Sequence, residues 1–142
     1  MAKLPTVLLA EDEANDVFLM QRALLKMGSP VLLEVASDGI EVIRYLSGVD
    51  EFADREVHPL PSLILLDIKM PRRDGFEVLA WLKTSGTLLH IPVTMLTSSN
   101  VNRDMERAFS LGATDYLIKP VAFNVLQDIF IQTATDQFAY SK

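Results

Sequence analysis

Short apolar runs punctuate the chain, and a polar or breaker residue closes each of them. The clearest is Leu63-Ile64-Leu65-Leu66, which runs straight into Asp67 and is stopped by Pro71. A run this short, bounded by breakers, reads as a strand buried on both faces, as in a parallel sheet. Thr6-Val7-Leu8-Leu9-Ala10 is built the same way and ends in Glu11-Asp12-Glu13. Residues 31–36 form a further run. Pro92-Val93-Thr94-Met95-Leu96 ends in Thr97-Ser98-Ser99-Asn100, and Asp115-Tyr116-Leu117-Ile118 ends in Lys119-Pro120.

Between these runs the apolar positions recur at helical spacing. Val17, Met20, Leu24 and Met27 predict a first helix with Gly28 as its stop. Asp38-Gly39-Ile40-Glu41 opens a second, with Asp38 as N-cap and Glu41 three residues on, and Ile43 and Leu46 continue its apolar face. Asp74-Gly75 caps a third that turns Val78, Leu79 and Leu82 inward. Val101, Met105, Ala108 and Phe109 share one face of a fourth, closed by Leu111-Gly112. A last helix covers residues 121–134, with Leu126, Ile129, Phe130 and Thr133 as its core stripe. Residues 48–61 break the rhythm; they read as a helix extension followed by a long surface loop.

The result is a strand-helix unit repeated five times. Crossovers between parallel strands are right-handed, which gives a three-layer, doubly wound α/β fold with a five-stranded parallel sheet and helices on both faces. In such sheets ligands bind beyond the carboxyl ends of the strands. Glu11, Asp12, Asp67, Thr97 and Lys119 all follow strands, so a parallel sheet places them on one edge. Alone, each has a plain reading. Asp67 could bond its own turn, Glu11-Asp12-Glu13 could be a solvated helix start, and Thr97 could cap a helix. Lys119 could snorkel, and Tyr116 could be an ordinary strand aromatic. One shared site explains all of them together.

Composition narrows the class. At 142 residues and 49% hydrophobic, the chain suits a single domain spanning 1–142, with a core of about 6–134 and a tail of 135–142. The net charge of −6, from 19 acidic and 13 basic residues, disfavours nucleic-acid binding, which needs a basic footprint. No apolar run approaches the roughly 20 residues of a membrane span. The start of the chain lacks a signal peptide's apolar segment, so a cytoplasmic protein is the default. The absence of cysteine excludes disulfide and thiolate-metal designs. Three consecutive acids are costly unless solvated or bound to a cation.

Together these motifs resemble the receiver domain of two-component response regulators. The acid pair is Glu11-Asp12, and the phospho-acceptor motif is Leu65-Leu66-Asp67-Ile68-Lys69-Met70-Pro71 followed by Asp74-Gly75. The hydroxyl lies in Leu96-Thr97-Ser98, and Gly112-Ala113-Thr114-Asp115-Tyr116-Leu117-Ile118-Lys119-Pro120 carries the aromatic and the lysine. The resemblance implies a flavodoxin-like fold and a phosphoryl group passed from a histidine kinase to Asp67. It implies Mg²⁺ held by Asp12, Asp67 and the backbone carbonyl of Lys69, with Glu11 acting through water. Lys119 pairs with Asp67 and then with the phosphoryl oxygens, and Lys119-Pro120 is cis. Thr97 and Tyr116 form the switch, Thr97 drawn toward the phosphoryl group and Tyr116 rotating inward behind it. The first acid is Glu where the family more often has Asp, a variant that should preserve metal binding.

The long 48–61 stretch and the lack of an output domain further resemble stand-alone regulators paired with bacteriophytochrome kinases. The phosphohistidine then belongs to the kinase, and His58 and His90 are surface residues. Catalysis is confined to the protein's own phosphorylation and dephosphorylation. An aspartyl phosphatase would carry a second Asp two positions after the nucleophile, where this chain has Lys69. A phosphorylation-independent interaction module would show a degraded acid cluster, and a dinucleotide enzyme a Gly-rich first turn. Val125, Ile131 and Phe138 lack an evident core position, and Tyr140 follows them. They predict a homodimer through the fourth helix, fifth strand and last helix.

Overall fold

A computed structural model describes residues 4–140, with side chains as far as Thr135. The elements follow the predicted alternation: β1 (Thr6–Ala10), α1 (Ala14–Lys26), β2 (Leu32–Ala36), α2 (Gly39–Ser47), β3 (Leu63–Leu66), α3 (Gly75–Lys83), β4 (Val93–Thr97), α4 (Asn102–Ser110), β5 (Asp115–Ile118) and α5 (Phe123–Tyr140). All pairings are parallel and the sheet order is β2-β1-β3-β4-β5. The fold is the doubly wound, flavodoxin-like one. The order reverses at β1, so the ligand crevice of such a sheet lies between the carboxyl ends of β1 and β3. Their register, Ala10 opposite Leu66, makes Glu11 and Asp67 neighbours across that crevice.

Alternate strand residues point to opposite faces, and the core divides accordingly. Leu8, Ala10, Ile64, Leu66, Val93 and Met95 pack under α2, α3 and α4. Val7, Leu9, Leu63, Leu65 and Leu96 pack under α1 and α5, where Leu126 and Phe130 meet Met20 and Leu24. The core stripe of the last helix is as predicted: Leu126, Phe130 and Thr133 are buried and Ile129 is half-buried. Among the described residues no helix is long and apolar enough to cross a membrane.

Several local expectations change. The second helix buries Val42, Tyr45 and Leu46, and Ile43 is only half-buried. Tyr45 takes the inward position because its hydroxyl finds a partner, donating to the Pro59 carbonyl at 2.8 Å. No helix extension follows. Gly48 adopts φ 67°, a left-handed cap that ends α2. Residues 48–61 then fold back on the helix. A 3-10 turn at Asp50–Phe52 buries Phe52, and Arg55 donates to the Leu46 carbonyl and to the Tyr45 carbonyl, which also accepts from the Gly48 amide. His58 is half-buried rather than fully at the surface. Its ring packs edge-on against Phe52 and Tyr45, at 5.2 and 5.8 Å between centroids. His90 is exposed.

The fourth helix buries only Ala108 fully. Val101 precedes it as N-cap and is exposed, and Phe109 is 45% exposed. One stripe of a short helix suffices to cover this end of the sheet. The last helix starts at Phe123 rather than residue 121 and continues to Tyr140.

Candidate functional site

Three strands deliver the site. Asp67 follows β3, its amide donating to the Ala10 carbonyl at 3.1 Å, so the two crevice strands are tied just below the carboxylates. Asp67 is buried. Its Oδ1 accepts from the Lys69 amide at 3.4 Å, and its Oδ2 meets Lys119 Nζ at 2.9 Å. Lys119 follows β5 and is anchored by its own amide, which donates to the Thr97 carbonyl at 2.8 Å. The Lys119-Pro120 peptide is cis. From β1 come Glu11, only 2% exposed, and Asp12, which is exposed. Carboxylate oxygens of Glu11, Asp12 and Asp67 lie within 4.8 Å of one another.

The electrostatics follow from that crowding. Burial, aided by the Asp67 charge, pushes the Glu11 carboxyl up to about 7, against the pull of its hydrogen bond to Lys119. Burial by itself would depress the Lys119 ammonium. Its hydrogen bonds to Asp16, Glu11 and Asp67 win, and its pKa rises above the usual lysine range. Thr97, fully buried, accepts from the Ser99 amide at 3.4 Å. Tyr116 points inward and is buried. Its hydroxyl donates to the Ser99 carbonyl at 2.9 Å, and burial raises its pKa.

The response regulator receiver domain model matches residues 7–131. The chain belongs to that family. The receiver is 36% identical over 124 residues to the response regulator Rcp1 of Synechocystis sp., covering 87% of this chain and 80% of that one. The Mn²⁺-bound form of Rcp1 superimposes with a TM-score of 0.75 at 34% identity, over 92% and 90% of the two chains. The phosphorylated cyanobacterial phytochrome response regulator RcpA gives 0.78 at 32%, over 95% and 92%. The bacteriophytochrome response regulator AtBRR gives 0.77 at 39%, over 94% of each chain.

The receiver's acid cluster suits a hard divalent cation, because every donor is an oxygen and three carboxylates converge on one point. The predicted residues Glu11, Asp12, Asp67, Thr97 and Lys119 gather at one edge. Lys69 folds over Asp67 through its amide. Sequence reasoning missed Asp16, whose Oδ2 lies 2.8 Å from Lys119 Nζ. A fourth acid within six positions of Glu11 was the available signal. It also missed Arg72, which holds a left-handed φ of 66° and pairs with the capping carboxylate of Asp38 at 2.7 Å. Beside Lys119 an open cavity of about 320 Å³ is lined by Asp16, Leu19, Met20, Leu96 and Val121.

Proposed function

We propose that Asp67 accepts a phosphoryl group from a phosphohistidine on a sensor kinase, and that the added charge switches the receiver's binding to a partner. The observation that carries this reading is the pairing of buried Asp67 with Lys119 at 2.9 Å inside a three-carboxylate cluster. A carboxylate is a competent nucleophile for an acyl phosphate. An Asp67 oxygen bonds to phosphorus as the phosphorus–nitrogen bond breaks, and the imidazole leaves with the electron pair and takes up a proton. Lys119 stays as a point charge beside the new phosphoryl oxygens. Thr97 offers its hydroxyl to one of them.

Asp12 and Asp67, the Lys69 backbone carbonyl and, through water, Glu11 would hold Mg²⁺. Bound there, the ion neutralises charge and orients the transferring group. Thr97 and Tyr116 then bias two states of the α4 face by differential contacts, the inward Tyr116 belonging to the favoured one. The kinase is of the phytochrome type by likeness to RcpA and AtBRR. The chain acts as a receiver in the cytoplasm, with no substrate beyond its own phosphorylation and dephosphorylation.

The test is intact-mass measurement after incubation with Mg²⁺ and acetyl phosphate. One phosphoryl adduct on the wild type and none on Asp67→Asn is expected; undiminished uptake by the variant refutes the assignment.

Self-association through α4, β5 and α5 belongs to the same proposal. Phe109, Ile118 and Ile131, one on each element, are exposed, Ile131 by 48%. Val125 is half-buried, and the side chains of Phe138 and Tyr140 lie outside the described residues. Sedimentation of wild type and Ile131→Glu decides it: a wild-type monomer at high concentration, with and without a phosphoryl mimic, removes the dimer.

A further inference from the structure

An ammonium has three N–H donors, and Lys119 has committed all of them. One goes to Glu11, one to Asp67 at 2.9 Å and one to Asp16 at 2.8 Å. Glu11 and Asp67 belong to the acid cluster between β1 and β3. Asp16 comes from the first turn of α1 and faces the mouth of the adjoining cavity.

The three bonds differ in what it costs to give them up. The Glu11 side chain is 1% exposed, so leaving it would strand a buried carboxylate. The Asp16 side chain is 37% exposed and returns to water at little cost. Asp16 is therefore the partner that Lys119 exchanges most readily. We infer that Asp16 is a positioning residue that competes with an incoming phosphoryl group for Lys119, holding the ammonium toward α1 until new charge at Asp67 draws it away. This rests on the acceptor reading of Asp67.

The consequence has a sign. Without the Asp16 charge, Lys119 meets at most a neutral acceptor on α1 and exerts a stronger field at Asp67, so a phosphoryl analogue binds tighter. Glu13 supplies the control. It carries the same charge three positions earlier, at the N-cap of α1, and is exposed, but the donors of Lys119 are already committed elsewhere.

The experiment titrates beryllofluoride at saturating Mg²⁺ into wild type, Asp16→Asn and Glu13→Gln, and compares the Lys119 side-chain NMR resonances of the metal-free proteins. Asp16→Asn should bind about three-fold tighter or more, and Glu13→Gln, an exposed charge that does not pair with Lys119, should change less than about two-fold. The Lys119 resonances should move in Asp16→Asn and stay in place in Glu13→Gln. Asp16→Ser repeats the measurement should the asparagine disturb the helix start. Equal changes in the Asp16 and Glu13 variants, or unmoved Lys119 resonances, overturn the inference. Failure of all three proteins to bind beryllofluoride strikes the acceptor reading, and the competition with it. The metal-free resonances still report whether Asp16 holds the ammonium.

Discussion

The β3–α3 and β4–α4 loops leave the same edge of the sheet, on either side of the site, and they are secured in different ways. The first is held by backbone. Gly75 donates to the Ile68 carbonyl at 2.8 Å, and its Cα lies so close that a Cβ would stand 2.4 Å from the Asp67 carbonyl oxygen. Asp74 and Glu77 close a capping box on α3. On the far side, Gly39 at the start of α2 admits Arg73, whose carbonyl oxygen would be 2.2 Å from a Cβ there. The second loop hangs on side chains. Ser99 Oγ donates to Asp104 at 2.7 Å and accepts weakly from Val101, while its carbonyl receives the Tyr116 hydroxyl. Beyond it lies α4, with Ala108 as its only fully buried residue.

The difference shows where a change at Asp67 can travel. Backbone packed against backbone has no alternative arrangement nearby, so the nucleophile and its loop keep their geometry. Side-chain hydrogen bonds are each worth about 1 kcal/mol net, an amount that a new charge at Asp67 can outweigh. The β4–α4 loop is thus the one that can be retied.

The largest effect should come from Gly75→Ala. The added methyl has only backbone to push, and overpacking of this kind costs about 3 kcal/mol. The urea midpoint should fall accordingly, and a loss under about 1 kcal/mol would show that the β3–α3 loop yields and the contrast is false. Tyr116→Phe comes next. It leaves the Ser99 carbonyl without its donor, at about 1 kcal/mol. Amide exchange should quicken at residues 98–105 and stay unchanged at 67–75; equal quickening in both loops would mean they open as one unit. Arg72→Ala should be the smallest. Arg72 is 59% exposed, so losing its pair with Asp38 should cost under about 1 kcal/mol. Alanine retains the left-handed strain at this position, which isolates the pair. A much larger loss would make side chains, rather than the glycine contacts, the fastening of the first loop.

Much of this was legible beforehand where the signal is local. The runs before Glu11, Asp67 and Thr97 read as buried strands because both faces are covered, and Asp74 and Glu77 carry a capping box at the spacing it requires. Elsewhere the local pattern was outvoted. Phe109 sits at a core-like spacing, yet α4 covers the sheet with one stripe and leaves it exposed. His58 and Phe52 lie in a polar stretch that reads as surface. Phe52 is buried and His58 half-buried because Arg55 ties the segment back onto the Tyr45 and Leu46 carbonyls at the end of α2.

The sequence by itself determined the element order, the alternation that divides the core between two sheet faces, and the chemical identity of the residues following each strand. These depend on periodicity and on residues a few positions apart. Only the tertiary structure decided that Asp16 shares Lys119 with Glu11 and Asp67, that Arg72 closes on Asp38, and that Gly39 and Gly75 are sites of backbone contact. The contacts of Asp16, Arg72 and Gly39 join residues separated by at least one crossover, while Gly75 meets Asp67 and Ile68 inside one loop whose path is set by the elements around it. Which charges meet there follows from strand order and register, set by the packing of all the helices at once, and no spacing along the chain encodes it.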